Sequence, residues 1–194
     1  MLLGFCFSLG ESNFREIRLP FDSRIEIPKN WVFVSEGDNE TIETIAEAAM
    51  KNMGVEPSKS INIFRSQANV KGSYATASVT IGFNDRDTYS ELKNLSLSNS
   101  SSLKHELKSI AESMLNQSGQ KLLDFNLNEI KKSDKKNTIS YSYIRTGPVD
   151  DVVVSMDSSY FPRKKYYYIV RVSYRKSDKS FWLPITTYIK NSFQ

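Results

Sequence analysis

The chain has 194 residues, 39% hydrophobic and 25% charged, with 26 basic and 22 acidic side chains and a net charge of +4. That is long enough for one ordinary domain with a real core, too apolar for a disordered chain, and free of any apolar run near the about 18 residues that cross a bilayer. One histidine, His105, and one cysteine, Cys6, leave little from which to build a zinc site, which gathers several such ligands, or a histidine-assisted nucleophile.

Met1 to Leu9 is apolar apart from Gly4, Cys6 and Ser8, and polarity begins at Glu11-Ser12-Asn13. This resembles the end of a secretory signal, with Ser8 and Gly10 at the small positions before a cut, although no charged start precedes it. The alternative is an ordinary buried first strand. Phe5, before Cys6, is too large for a lipidation site. The expectation is a targeting remnant over residues 1–10, a single domain over 11–194, and a periplasmic or secreted protein, bacterial in type. Such a mature chain keeps no cysteine and no disulfide.

Residues 14–35 read as extended, with Ile17, Leu19, Ile25 and Ile27 alternating with polar neighbours, Pro28 marking a strand end and Trp31 to Val34 resuming. Ile42, Ile45, Ala46, Ala49, Met50 and Met53 predict a helix over 40–53, with Asn39 at its start and Gly54 at its end. Two strands follow, over 60–66 and 73–83. The second alternates cleanly, Ala75, Ala77, Val79, Ile81 and Phe83 against Tyr74, Thr76, Ser78 and Thr80. That pattern suits an antiparallel sheet with one packed and one wetter face.

Residues 84–102 are polar and read as a loop or a short helix around Tyr89. Leu103, Leu107, Ile110, Met114 and Leu115 predict the buried stripe of a helix over 102–117, capped by Ser101 or Ser102 and ended by Gly119. Leu123, Phe125 and Leu127, then Ile139, Tyr141 and Tyr143 across a charged turn, read as a long hairpin. Val152 to Met156 is another strand or edge. Tyr166, Tyr168, Val170, Val172 and Tyr174 alternate with Tyr167, Ile169, Arg171 and Arg175. A last helix is placed near Pro184, with Ile185, Tyr188 and Ile189 inward and Phe193 closing the end.

This order of elements, opening on Ile25-Glu26-Ile27-Pro28-Lys29-Asn30-Trp31 and closing on Asn191-Ser192-Phe193, resembles the PsbP-like superfamily. That group includes extrinsic photosystem subunits, a Ran-binding transport factor and exported bacterial proteins. The resemblance spans about 14–193. It implies an α+β fold, an α/β/α sandwich with a central, mainly antiparallel sheet flanked by helices, and a non-enzymatic binding or accessory role. The metal-binding histidines of plant members have no counterpart beside the solitary His105.

Other candidate sites read plainly. His105 lies off the apolar stripe of its helix, as a surface residue. Asp150-Asp151 after Gly147-Pro148 is a pair that binds a cation weakly or simply lies in a solvated loop. Asn84-Asp85-Arg86-Asp87 lacks the spaced ligands and closing glutamate of a calcium loop. The run from Tyr160 to Lys176 interleaves bases with aromatics, a composition that suits single-stranded nucleic acid or anionic headgroups. Strand alternation accounts for the same aromatics, and an exported protein meets little nucleic acid. The expectation is a non-catalytic accessory protein with no cofactor and no metal. It binds another protein or an envelope component through Tyr167, Arg171 and Arg175. The alternative is a carrier of a small molecule or lipid.

Overall fold

The computed structural model describes residues 13–34, 60–84 and 87–194. The targeting remnant at 1–10, the helix read over 40–53 and the centre of Asn84 to Asp87 lie outside the described residues. Two strands form an antiparallel hairpin, β1 (Phe14–Arg18) and β2 (Arg24–Pro28). Seven more form one antiparallel sheet: β3 (Trp31–Phe33), β4 (Ser60–Ala68), β5 (Ala75–Phe83), β6 (Leu122–Lys131), β7 (Asn137–Arg145), β8 (Val152–Tyr160) and β9 (Tyr166–Arg175). Their order is β3-β4-β5-β9-β8-β7-β6. The α-helices among the described residues are α1 (Thr88–Glu91), α2 (Ser101–Gln117) and α3 (Lys179–Ser192). This is an α+β fold built on a large antiparallel sheet.

Strand alternation sorts the two faces. Paired residues share a face, and Ala75, Ala77, Val79 and Ile81 sit opposite Tyr174, Val172, Val170 and Tyr168. These eight are all buried, in one core with Ile25 and Ile27 of the hairpin and Trp182 and Ile189 of α3. A second core holds Ala111 and Leu115 of α2 against Phe125, Tyr143, Val152 and Val154. Val154 pairs with Ser173, which alternates with Val172 and Tyr174, so α2 and α3 pack on opposite faces of the sheet.

Three local readings differ from the structure. Along α2 the inward line is Leu107, Ala111 and Leu115. Ile110 and Met114 are about half exposed, because small Ala111 draws the helix down on the line spaced by four. Leu123 is also half exposed. A register shift between Leu122 and Asp124 adds one residue there and sends its side chain out of the alternation. Helix α3 begins at Lys179 and contains Pro184. A proline inside a helix costs about 3 kcal/mol, and truncating a buried tryptophan costs about 3–5 kcal/mol. Starting early enough to anchor Trp182 therefore wins.

The polar stretch after β5 does carry a short helix, at α1. Tyr89 is buried; its hydroxyl donates to the Ser133 carbonyl at 2.8 Å and its own carbonyl accepts from Asn137 Nδ2 at 2.8 Å. Among the described residues no helix is long and apolar enough to cross a membrane.

Candidate partner-binding face

The face of the large sheet away from α3 has an unusual charge pattern. Arg65 pairs with Ser78, and Ser78 pairs with Arg171. One row is therefore Arg65, Ser78, Arg171 across β4, β5 and β9. Four residues along, Arg145 pairs with Val152 and Val152 with Arg175. Every arginine of the seven-stranded sheet thus points to this face. The carboxylates of the same sheet point to the other. Asp124 lies opposite Ile144, which pairs with Val153 and so with buried Tyr174. Glu129 lies opposite Ser140, and Ser140 opposite Asp157, which pairs with Val170.

Arg65, Arg145 and Arg171 line one groove of about 480 Å³, floored by hydroxyls of Thr76, Ser78 and Ser173 and walled by Met114 of α2. Thr76 and Ser173 share a hydrogen bond of 2.6 Å. No carboxylate lines the groove among the described residues. Each guanidinium meets a neutral acceptor. Arg171 donates to the Tyr143 hydroxyl at 2.8 Å, Arg145 to the Thr146 carbonyl at 3.0 Å, Arg175 to the Gly72 carbonyl at 2.6 Å, and Arg65 at long range, 3.4 Å, to the Tyr74 hydroxyl. A guanidinium offers five N–H donors, so most of this donor capacity stays available. The potential of the face reaches Tyr74. Burial pushes its phenol up, but hydrogen bonds with Thr76 and Ser173 and the charge of Arg65 outweigh that and leave it below its ordinary value.

The three residues read from the sequence all lie on this face of β9, but they do not converge. They are four residues apart, about 13 Å per step along a strand. Arg171 and Arg175 join the basic cluster. Tyr167 sits at the far end, half-buried, stacked on Tyr160 with centroids 5.1 Å apart and seated on Gly82, its cross-strand partner. Arg65 and Arg145 were missed by sequence reasoning. β7 alternates through Arg145, but a bulge between Asn62 and Phe64 breaks the alternation of β4 just before Arg65, and which strands flank β9 is not written in either strand.

Beneath α2 the same face holds a tyrosine cluster. Burial, reinforced by neighbouring Tyr143, pushes the Tyr141 phenol up to about 12. Burial likewise raises Tyr160 and, more weakly, Tyr167. For Tyr141 the folded pKa lies above the ordinary value of 10.0, so the folded chain holds the phenolic proton that the unfolded chain releases. Its stabilising contribution is complete below pH 10 and is lost as the pH rises toward about 12. Denaturant midpoints measured across that window are expected to fall less in Tyr141→Phe than in the wild type.

The remaining candidates have structural partners. His105 is exposed on α2. Asp150 accepts from the Ser177 backbone N–H at 2.9 Å and from that of Asp151 at 2.8 Å, and bonding to Ser177 holds its carboxyl below the usual range. Asp151 meets Lys176 at 3.4 Å. The acidic pair thus clasps the turn after β9. Asp87 bonds Ser90 at the start of α1. On the sheet's other face a polar groove of about 590 Å³ runs between α3 and β6–β8, with Asp157 bridged to Lys190 at 2.9 Å.

No family model matches the chain, and no curated protein matches it. Among solved structures it is similar to the cyanobacterial PsbP of Synechocystis sp. PCC 6803, at 12% identity and a TM-score of 0.55, covering 99% of this chain and 98% of that one. It is also similar to LpqN, described as involved in cell envelope biogenesis of Mycobacterium tuberculosis, at 8% identity and a TM-score of 0.47, covering 93% and 90%. A third likeness is to the Ran-binding protein Mog1p of Saccharomyces cerevisiae, at 8% identity and a TM-score of 0.45, covering 94% and 95%. The first likeness shows the fold: this chain has the PsbP-like fold.

Proposed function

We propose that this protein is a non-catalytic accessory protein that binds another protein or an envelope component through the arginine-bearing face of its sheet. The observation that carries the reading is the separation of charge: Arg65, Arg145, Arg171 and Arg175 on one face, Asp124, Glu129 and Asp157 on the other. Burying the donors of an arginine against neutral acceptors alone forgoes the stronger charge-assisted bonds it makes with carboxylates. A fold by itself does not dictate function, but the PsbP-like resemblance, with its accessory role, agrees with this one. We read residues 11–194 as a single α/β/α sandwich, residues 1–10 as the remnant of a targeting signal, and the protein as exported to a periplasm or beyond.

The test is affinity capture from the source envelope fraction with wild type and with a chain carrying Tyr167→Ala and Arg171→Ala. Recovery of the specific partner is expected to drop severalfold with the double variant. Equal recovery from both chains, each folded by circular dichroism, removes this face from the reading.

A second reading, a small-molecule carrier, is favoured by the groove of about 590 Å³ on the opposite face, which is within the usual size of ligand sites. Its lining mixes carboxylates, lysines and hydroxyls, so it suits a polar ligand rather than a lipid tail. Native mass spectrometry of protein taken directly from its source checks it: a carrier retains a bound small mass.

A further inference from the structure

We infer that the arginine face recognises an extended acidic polypeptide segment, with carboxylates three or four residues apart, contributed by a partner protein. This rests on the partner-binding reading above and names its chemistry.

The spacing argues for several separate charges. Arg65 and Arg171 flank Ser78, which puts their backbones two strand spacings apart, about 10 Å. Arg145 and Arg175 flank Val152 in the same way, about 10 Å apart. Arg171 and Arg175 are separated by about 13 Å along β9. Their present hydrogen bonds diverge to Tyr74, Tyr143, Thr146 and Gly72 rather than toward one point. A single phosphate or carboxylate satisfies one or two of them. An extended chain brings same-side carboxylates to both separations of this grid: about 9 Å for residues three apart in a polyproline II helix, and about 13 Å for residues four apart in a strand.

The shape and the aromatics argue against the other polyanions. Arg145, Arg171 and Arg175 are half-buried and Met114 rises beside the groove. A flat bilayer surface meets exposed Arg65 but not Arg145 and Arg171 within the groove, whereas a narrow chain reaches all three. Single-stranded nucleic acid needs free aromatic faces on which bases stack. Tyr160 is stacked on Tyr167, which itself rests on Gly82, and Tyr141 lies in the α2 core. The groove hydroxyl of Ser78 adds a donor that suits a carboxylate oxygen or a peptide carbonyl.

The experiment uses the full chain and a fluorescein-labelled poly-L-glutamate as the probe, followed by anisotropy at low and high salt. Wild type is expected to bind, more weakly at high salt. The Arg65→Glu, Arg171→Glu double variant is expected to bind at least about tenfold more weakly. A Lys135→Glu, Lys164→Glu chain makes the same change in net charge with exposed lysines and is expected to stay within about twofold. Arg65→Gln alone gives a milder check should the reversal disturb folding, and a loss of binding in the same direction is expected.

Equal loss in the lysine control reduces the effect to net charge and overturns the proposal. Tighter binding of oligodeoxythymidylate, of phosphatidylglycerol vesicles or of inorganic phosphate through the same arginines replaces the acidic segment with that ligand. A dimer in sedimentation velocity that the double variant dissolves makes the occupant a second copy. Where the double variant melts markedly lower, Arg65→Gln decides, and unchanged binding by that chain overturns the proposal. Should poly-L-glutamate fail to bind while Tyr167→Ala with Arg171→Ala still lowers partner capture, the acidic chemistry falls and the partner-binding reading stands. Should both be unaffected, both fall.

Discussion

Replacing Trp182 with alanine is expected to cost about 3–5 kcal/mol of folding stability, read from denaturant unfolding. Trp182 is 2% exposed and joins three elements. Its ring meets Trp31 edge-on, with centroids 5.8 Å apart. Its Nε1–H donates to Ser73 Oγ at 2.7 Å, and that hydroxyl donates to Asp178 at 2.7 Å. The truncation leaves a cavity between α3, β3 and the turn before β5, and it also removes one of the two hydrogen bonds of the Ser73 hydroxyl. Trp182→Phe separates the two effects. It keeps most of the ring and loses the hydrogen bond, so about 1–2 kcal/mol is expected. A cost for Trp182→Ala no larger than for Trp182→Phe would show that the ring's volume is not what anchors α3.

The second large effect is expected at Gly82. A Cβ there runs into the Tyr167 ring, which lies across this glycine. The ring has nowhere to retreat, since Tyr160 is stacked on it. Gly82→Ala is therefore expected to destabilise by about 1–3 kcal/mol, the usual cost of overpacking. In a Tyr167→Ala chain the obstacle is gone, and the same substitution is expected to be nearly neutral. The coupling, about 1–3 kcal/mol in a double-mutant cycle, is the signature. Additive costs would mean that Tyr167 does not rest on Gly82 in solution, and Tyr167 would then be free to act as the contact residue the sequence suggested. The cycle bears on function too, because a tyrosine held in this way offers a partner its edge rather than its face.

The legible part of this protein lies in its strands. Alternation alone separated one side of Ala75 to Phe83 and of Tyr166 to Tyr174 from the other, and the structure buries Ala75, Ala77, Val79, Ile81, Tyr168, Val170, Val172 and Tyr174 on one face. The stretch around Tyr89 was legible as a loop or a short helix, and Phe193 as a closing residue, 4% exposed. Ile110, Met114 and Leu123 were not. For a helix, a stripe spaced by three and four leaves the exact inward line to whatever small residue faces the sheet, here Ala111. For Leu123, a single extra residue in β6 reverses the alternation. The start of α3 was obscured by Pro184, whose local cost is outweighed by a tryptophan whose partners, Trp31 and Ser73, are far away in the chain.

The candidate site divides in the same way. Arg171 and Arg175 were recognisable on the less packed side of β9, because a strand's two-residue period is a local property that the order of side chains carries by itself. Arg65 lay within a strand read from the sequence, and Arg145 just beyond the alternating run that ends at Tyr143. Only the tertiary structure put β9 between β5 and β8, and so set Arg65 across Ser78 from Arg171 and Arg145 across Val152 from Arg175. Strand pairing is a non-local choice, settled by which buried faces fit together under α2 and α3. A chain read residue by residue shows that Arg171 and Arg175 share one side of β9, while the folded sheet, with the bulge that turns Arg65 outward, decides which arginines become neighbours.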